Sequence, residues 1–347
     1  MAQTGPRSSE LILMARAARR YYVDDVSKTD IADELGISRF RVARLIDAAR
    51  RNGMVTIRVD PPVGIDAEMS IELKRRFGLE QAVVVDTPDH HPEALRSRLG
   101  EVAAEVLQDV VTDADVLGLA WARSLRGIGT SIRGLAPCPV VQLTGAMPGP
   151  DGSDVIELVR RVAAAGGGTP HVFYAPLVAP DVSSARVVRR QPDVSRASEL
   201  ATGVTIAVVG VGAWRAGLST IFDMVDPEAR ERARDNGTIG EISGALIDSA
   251  GRAVTSALSR RIIGVTAEQL ESIGLVISVA YGEEKAPAVA AALRGGLVNG
   301  LVWVALCCSR INPPAARLLY SMVKPRFGKS LAVRVASVLL SSRARRS

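Results

Sequence analysis

The stretch from Lys28 to Arg51 constrains the fold most strongly, because it has the pattern of two short helices joined by a tight turn. Gly36 falls in the turn, which needs a positive φ that glycine adopts at little cost. Ser38 follows, and its hydroxyl can cap the next helix by accepting from free N–H groups. Ala32 lies where the two helices must approach closely. Apolar residues fall where such a pair buries side chains against a preceding helix, namely at Ile31, Leu35, Ile37, Val42 and Leu45.

The second helix of this pair begins with basic residues. Arg39, Phe40, Arg41 and Arg44 follow the cap, and the N-terminal part of a recognition helix is the part that reaches base edges in the major groove. An ordinary helical hairpin with a solvated basic face is the alternative. The agreement of small, glycine, cap and apolar positions favours a helix-turn-helix. The predicted DNA-contacting residues are Lys28, Ser38, Arg39, Phe40, Arg41, Arg44 and, on the following strand, Arg58.

The flanking sequence completes a small domain over residues 1–60. A helix is predicted from residue 8 or 9 to about residue 23, before the helix pair. Residues 54–59 alternate like a strand directly after the recognition helix, which is typical of the start of a wing. Pro61 and Pro62 then end the segment with a stiff break. The sequence therefore predicts an N-terminal winged helix-turn-helix domain.

Residues 61–306 alternate between apolar strands and helices, which indicates an α/β domain with a Rossmann-like, mostly parallel sheet covered on both faces. The predicted strands are 82–86, 115–120, 139–143, 172–176, 205–210, 275–281 and 297–306, with a short pair at 244–248 and 253–255. The predicted helices are 66–77, 91–111, 121–132, 155–165, 195–201, 226–236, 267–273 and 285–294.

Charge and cysteine content narrow the class of protein. The net charge is +6 over 347 residues, and residues 1–60 hold 11 Lys and Arg against 8 Asp and Glu. A basic head fits nucleic acid as a partner. Three cysteines without a CxxC spacing and three scattered histidines argue against a structural metal. The absence of a signal peptide and of a long apolar run leads us to expect a cytoplasmic protein without membrane contact.

Several predicted strands of the α/β domain end in glycine, or in Ser or Thr beside glycine. Ligands of open α/β sheets bind beyond the carboxyl ends of strands, where glycine lets backbone N–H groups approach an anion. A phosphorylated or polyhydroxylated ligand is therefore plausible, although such glycines are also ordinary turn residues. Lys285 could pair with a phosphate or be a solvated surface lysine, and Glu241 could hold a sugar hydroxyl or begin a turn. No GxGxxG, GxxxxGK[ST] or GxSxG motif supports a dinucleotide, ATP or a serine nucleophile, so no cofactor is expected.

The chain resembles the SorC-type sugar-binding transcriptional regulators over roughly residues 10–303. The blocks that carry the resemblance follow one another in order along the chain. They are VSKTDIADELGISRFRVARLIDAARRNGMVTIRV, VLGLAWARSL, VVQLTGAM, ELVRRVAAAGGG, FYAPL, IAVVGVGAW, NGTIGEISGALIDSAGRAV, RIIGVTAEQLESI and EEKAPAVAAALRGGLVNGLV.

The resemblance implies a DNA-binding head and an effector domain related to sugar-phosphate isomerases, without catalysis. It implies a phosphorylated sugar or sugar alcohol as effector, and a homo-oligomer, a dimer or tetramer, on operator DNA. A constitutive DNA-binding protein with a degenerate effector domain and an isomerase fused to a DNA-binding head are the alternatives. The effector residues implied by the matching motifs are Ser124, Gln142, Thr144, Gly145, Gly210, Gly212, Gly240, Glu241 and Lys285.

The sequence departs from the family pattern in three places. Ala122 stands where the family has a glycine, and Tyr281-Gly282 replaces a glycine pair. After Val302 the family continues with Thr-Asp, whereas Trp303-Val304 stands here. Residues 307–347 form an atypical tail, and its last 39 residues hold 9 Lys and Arg and no acid. A reading-frame change near residue 303 and a basic tail that adds DNA affinity are the two interpretations.

Overall fold

A computed structural model describes residues 8–55, 64–87, 91–147 and 155–306. The chain forms two compact units, Met1–Pro61 and Pro62–Ser347. The predicted wing strand falls largely outside the described residues, which include only Met54 and Val55 of it, and neither lies in a strand. Arg58 and the tail 307–347 also lie outside the described residues.

The first unit contains three helices whose apolar faces meet in one core. They are α1 (Ser8–Tyr22), α2 (Lys28–Leu35) and α3 (Arg39–Arg51). The helix-turn-helix is confirmed in its details: Gly36 adopts φ +65° and ends α2, and the Ile37 N–H donates to the Ala32 carbonyl at 3.0 Å. The core residues are Met14, Ala17, Ala18, Ile31, Ala32, Val42, Leu45, Ile46 and Ala49.

The second unit is built on a seven-stranded sheet. Its strands are β1 (Gln81–Thr87), β2 (Leu117–Leu119), β3 (Val140–Gln142), β4 (Pro170–His171), β5 (Ile206–Val209), β9 (Leu275–Tyr281) and β10 (Gly300–Leu306). Their order across the sheet is β1-β10-β9-β5-β2-β3-β4. All neighbouring strands pair in parallel, so the predicted α/β class and mostly parallel sheet are confirmed.

Helices cover both faces of this sheet because its strands alternate side chains between two apolar cores. Val208 and Val302 belong to one core, whereas Ala207 and Trp303 belong to the other. The first core is closed by α5 (Pro92–Val110), α6 (Ile128–Ser131) and α7 (Val155–Gly166). The second is closed by α4 (Ala67–Phe77), α9 (Pro192–Ala201), α12 (Ala267–Ser272) and α13 (Ala286–Arg294).

A small antiparallel sheet lies after β5 and was not predicted in this form. It contains β6 (Val211–Ala213), β7 (Gly240–Ile242) and β8 (Ala245–Ile247), in that order. The predicted pairing of 244–248 with 253–255 is confirmed only as an isolated antiparallel bridge between Ile247 and Ala253, beside which the Val254 N–H donates to the Leu246 carbonyl at 2.8 Å. Three helices complete the unit: α8 (Val182–Arg189) and α10 (Thr220–Met224), which were missed, and α11 (Pro227–Asp235), which was expected.

Two other sequence predictions are wrong. Residues 123–127 form successive turns where a helix was expected to begin, and residues 121–122 are irregular. This segment passes close to α5, since a methyl group on Gly100 would lie 2.3 Å from the Gly127 Cα. The strand expected at 172–176 is displaced to β4, and Pro176 only bridges Ala146. The residues directly after Val302, which depart from the family pattern, continue β10. Trp303 among them is buried in the core, with 1% of its surface exposed.

Candidate functional site

The first candidate site is the outward surface of α3 in the first unit. Ser38 is the N-cap, and its Oγ accepts from the Arg41 N–H at 3.3 Å. Val42, Leu45, Ile46 and Ala49 are buried against the other helices. The helix therefore presents its charged side chains and Phe40 to solvent. The predicted DNA-contacting residues Arg39, Phe40, Arg41 and Arg44 are all exposed.

Phe40 is the most unusual of these side chains, because it is an aromatic ring that is 82% exposed. So exposed a side chain contributes little to the core of the unit. Large exposed apolar groups among polar neighbours mark interaction surfaces. Lys28 lies elsewhere, at the start of α2, with its Nζ 4.9 Å from the centre of the Tyr21 ring. Its role in DNA contact stays a prediction, as does that of Arg58.

The second candidate site is a cavity at the carboxyl ends of β2, β5 and β9. In the sheet, β3 lies on one side of β2 and β5 on the other. The chain runs from β2 to β3 and β4 on the first side, and then returns to β5 and continues to β9 on the second side. Such a reversal of strand order is where open α/β sheets bind ligands. The cavity is lined by Trp121, Ala122, Arg123, Ser124, Leu177, Gly210, Val211, Gly212, Leu218, Thr220, Ile221, Glu241, Ser243, Gly244 and Lys285.

Five of the predicted effector residues line this cavity together: Ser124, Gly210, Gly212, Glu241 and Lys285. Their polar groups are partly engaged within the protein. The Ser124 hydroxyl donates to the Val279 carbonyl at 2.6 Å, and the Gly210 N–H donates to the Ser243 Oγ at 3.0 Å. The Gly210 amide is therefore already bonded in this structure.

Two glycines are required by close packing around the cavity. A methyl group on Gly210 would lie 2.3 Å from the Ala122 Cβ, and one on Gly212 would lie 2.3 Å from the Glu241 Oε1. Ala122 is one of the positions that departs from the family pattern, and its methyl group fills space at the cavity wall. The backbone also bends sharply beside the cavity, since Ser243 has φ +47° and Gly244 has φ +104°.

Glu241 and Lys285 are the titratable pair of the cavity. Burial raises the pKa of the Glu241 carboxyl, against the opposing effects of the Gly244 N–H, the Lys285 charge and the Ser219 hydroxyl. The Gly244 N–H donates to Oε2 at 2.9 Å, and the Ser219 hydroxyl donates to Oε1 at 3.2 Å. Burial lowers the pKa of Lys285 to about 8, with Glu241 acting to raise it and Arg123 to lower it further. The Lys285 Nζ also lies 5.3 Å from the centre of the Tyr281 ring.

A larger basic cleft adjoins the cavity and shares Trp121, Ala122 and Arg123 with it. The cavity itself is about 30 Å³, whereas the cleft is about 950 Å³. Only the cleft is of the size that small-molecule sites usually have. Its charged lining residues are Arg96, Arg123, Arg126, Arg160 and Arg161, together with Glu93 and Glu157.

Sequence reasoning did not single out the arginines around the cleft. Arg123 lies in the segment after β2, where its guanidinium donates to the Gly217 carbonyl at 2.9 Å and lies 3.8 Å from the Asp223 carboxylate. A pair of arginines three residues apart, Arg123 and Arg126, directly after a predicted strand was the signal available in the sequence. Arg160 donates to the Tyr174 hydroxyl at 2.7 Å.

The other four predicted effector residues do not line the cavity. The Thr144 hydroxyl accepts from the Trp121 N–H at 2.8 Å, and the Gln142 side chain bonds the Thr144 carbonyl and the Phe173 N–H. Gly145 packs on Pro176, and a methyl group on Gly240 would lie 2.7 Å from the Ala288 Cβ. These contacts support the loops around the cavity, and direct contact of these residues with an effector stays a prediction.

Neither a metal centre nor a membrane helix is found in the part of the chain that the structure describes. No three His, Cys, Asp or Glu side chains in these residues are grouped so that they could hold a metal ion. No helix there is long and apolar enough to cross a membrane.

Comparison with known proteins places these two sites in context. The family described as "Putative sugar-binding domain" matches residues 62–304. The deoxyribonucleoside regulator of Bacillus subtilis is 30% identical over 295 residues, which cover 84% of this chain and 94% of that protein. The transcriptional regulator LsrR of an Enterobacter strain is 29% identical, covering 84% of this chain and 89% of LsrR.

Solved structures agree on the fold. The crystal structure of the full-length sorbitol operon regulator SorC from Klebsiella pneumoniae superposes with a TM-score of 0.65, covering 91% of this chain and 100% of that one at 23% identity. The structure described as "Probable sor Operon Regulator" from Shigella flexneri has a TM-score of 0.64, and the match covers 74% of this chain and 98% of that one at 21% identity.

Proposed function

The chain belongs to the family of SorC-type sugar-binding transcriptional regulators, and from that premise we propose that it is a DNA-binding regulator of carbohydrate metabolism whose operator binding is controlled by a phosphorylated sugar or sugar alcohol. One observation carries the proposal. A basic, exposed recognition helix in the first unit accompanies a cavity with a half-buried cation, Lys285, at the strand reversal of the second unit.

The first unit supplies the contacts to DNA. Arg39, Arg41 and Arg44 contact base edges or phosphates, and Arg58 contacts a phosphate. Each phosphate contact releases counterions, so the affinity falls with rising salt. One helix-turn-helix covers little DNA, so a dimer or tetramer engages two half-sites of a pseudo-palindromic operator. Such a protein acts in the cytoplasm.

The second unit supplies the effector site. The Lys285 ammonium attracts the anionic group of the effector to the cavity. The cavity of about 30 Å³ is too small for a whole sugar phosphate, so the remainder of the ligand extends past Ala122 and Arg123 into the basic cleft. Effector binding favours one of two subunit arrangements, and the coupling free energy is the difference in effector affinity between them.

The same site argues for binding rather than turnover. An isomerase needs a general base within reach of the substrate. Glu241 is 6% exposed and both of its oxygens accept hydrogen bonds from the protein. A carboxylate held in this way is suited to positioning the loop at Gly244, so we propose a regulator without catalytic activity.

Gel-shift measurements on the upstream region of its own gene test the DNA-binding role. The double variant Arg39→Ala, Arg41→Ala should lose specific binding. A matched double variant, Arg232→Ala, Arg234→Ala, removes the same charge from the exposed surface of α11 and should bind like the wild type. Unchanged specific binding by the first variant would refute the assigned role.

A thermal-stability screen with sugar phosphates and sugar-alcohol phosphates tests the effector role. A ligand that binds only the folded state raises the unfolding temperature by mass action. The matching unphosphorylated sugar is the control, and it should give a smaller shift because it lacks the anion. Absence of any shift across the panel would favour a constitutive DNA-binding protein.

A further inference from the structure

The outward face of α3 carries one acidic side chain among basic and aromatic ones. Residues at spacings of three and four align on one side of a helix. Four residues of α3 with this spacing form a stripe opposite the buried face: Phe40, Arg44, Asp47 and Arg51. Every member of the stripe is exposed.

Asp47 is free to contact DNA, because its carboxylate makes no ion pair or hydrogen bond within the described part of the chain. Arg44 and Arg51 flank it at positions i−3 and i+4 without pairing to it. A carboxylate on a DNA-facing surface is unfavourable beside phosphates, which repel it. The position therefore weakens binding to DNA in general unless a base offers the carboxylate a hydrogen-bond donor.

The major groove offers few such donors. A carboxylate only accepts hydrogen bonds, and the donors in the groove are the N4 amino group of cytosine and the N6 amino group of adenine. Adenine places its N7 acceptor beside N6, which repels a carboxylate, whereas cytosine has no acceptor beside N4 on its own edge. We propose that Asp47 selects a cytosine in each half-site by accepting a hydrogen bond from its N4 amino group.

The spacing of the stripe locates that cytosine relative to a second base. Phe40 is suited to contact a thymine methyl group, which is the apolar feature of the groove. Seven residues separate Phe40 from Asp47, which is about 10 Å along a helix. Base pairs rise about 3.4 Å each, so the cytosine lies about three base pairs from the thymine when α3 follows the groove.

The inference rests on the proposed operator binding, and one experiment separates the two. Duplexes from a randomised library are selected with the full-length wild type and with Asp47→Asn, Asp47→Ala and Phe40→Ala. Asp33→Asn is the matched control, because it removes an exposed acid from α2, away from the stripe. Selected sequences are then re-measured by competition at fixed salt, since affinities at different salt are not comparable.

Asp47→Ala should reduce discrimination for cytosine at one position about tenfold, in line with the usual cost of losing a base contact. Asp47→Asn should change the preference there from cytosine to adenine, because an amide pairs with adenine N6 and N7. Phe40→Ala should relax a different position, about three base pairs away. Asp33→Asn should leave all positions unchanged.

The outcomes are distinct. If the wild type selects a site and the Asp47 variants select it with the same preferences at every position, this inference is overturned while operator binding stands. If the wild type enriches no sequence at all, both the operator-binding proposal and this inference fail.

Discussion

Replacing Lys285 with methionine should weaken effector binding and remove its pH dependence. The Lys285 ammonium group lines the small cavity together with the Arg123 guanidinium, and methionine keeps most of the lysine's apolar stem without the charge. A hydrogen bond to a charged group contributes about 1.5–3 kcal/mol, which corresponds to a loss of affinity of about 10-fold to 150-fold.

The pH dependence follows from the lowered pKa of Lys285, which is about 8 in the folded protein. About nine-tenths of the side chain is protonated at pH 7 and about one-tenth at pH 9, so wild-type affinity should fall about tenfold between these values. The effector phosphate is already doubly ionised over this range, because its second pKa is about 6.

The same lowered pKa has the opposite effect on stability. Between pH 8 and 10.5 the unfolded chain binds a proton at Lys285 that the folded chain has lost, so the contribution of this group to the free energy of unfolding rises with pH. Weaker binding at pH 9 therefore cannot be attributed to a loss of folding caused by Lys285.

Isothermal titration calorimetry at pH 7, 8 and 9, with a sugar phosphate identified by the thermal screen, measures both effects. Lys74→Met is the matched control, because Lys74 is exposed on α4 outside the cavity lining, and it should bind like the wild type. Wild-type affinity that stays constant from pH 7 to 9, or equal affinity of Lys285→Met, would refute the role given to Lys285.

Three further substitutions test the structure around the two sites. Gly212→Ala should displace the Glu241 carboxylate, lower the free energy of unfolding by about 1–3 kcal/mol through overpacking and reduce effector affinity. The control is Gly203→Ala, whose methyl group would lie 3.6 Å from the Leu200 carbonyl and should change the free energy of unfolding in urea by less than about 0.5 kcal/mol. Equal effects of the two substitutions would contradict the packing argument. Ser38→Ala should destabilise the first unit by about 1 kcal/mol, measured from unfolding followed by circular dichroism at 222 nm. The unfolding transition followed by tryptophan fluorescence should not change, since all three tryptophans lie in the second unit. Ser38→Asp should restore the cap and the stability. Trp303→Ala should cost about 3–5 kcal/mol. Trp303→Phe should cost less, because it keeps an aromatic ring in the core and removes an indole N–H that has no hydrogen-bond partner among the described residues; a loss as large as that of the alanine variant would contradict this reasoning.

The helix-turn-helix could be predicted closely because its signals are local. The Gly36 turn and the Ser38 cap are set by residues within a few positions of each other. Strands such as β9 were also predicted with their correct bounds, because a long Val and Ile run between turn residues has few other structures available.

The irregular segment 121–127 could not be predicted from its own residues. Its apolar spacing is compatible with a helix, whereas its close packing at Gly127 involves Gly100, more than 20 residues away in the sequence. The small antiparallel sheet was predicted only in part, since β8 lies within the predicted strand 244–248 whereas β6 and β7 were not recognised. Its strands have three residues each, which is too short for an alternation to be distinctive.

The grouping of the proposed effector residues could be predicted only for those that follow adjacent strands. Ser124, Gly210 and Lys285 follow three adjacent strands, so they line the same cavity. Thr144 and Gly145 follow β3, which lies one strand farther out, and there the backbone pairs with residues 263–265 instead. The arginines of the basic cleft come from α5, α7 and the segment after β2, and their proximity depends on helix packing that sequence spacing does not determine.

The central claim is that an anionic sugar in the Lys285 cavity controls DNA binding, and fluorescence anisotropy measures this coupling directly. Labelled duplex carrying the selected site is titrated with the full-length chain, with and without saturating effector, for the wild type and for Lys285→Met. Coupling between two ligands typically changes affinity about 5-fold to 150-fold. The account predicts such a change in the dissociation constant of the wild type and a much smaller one in Lys285→Met at the same effector concentration. Wild-type protein that binds the effector by calorimetry, yet binds DNA equally well with and without it, would contradict the account.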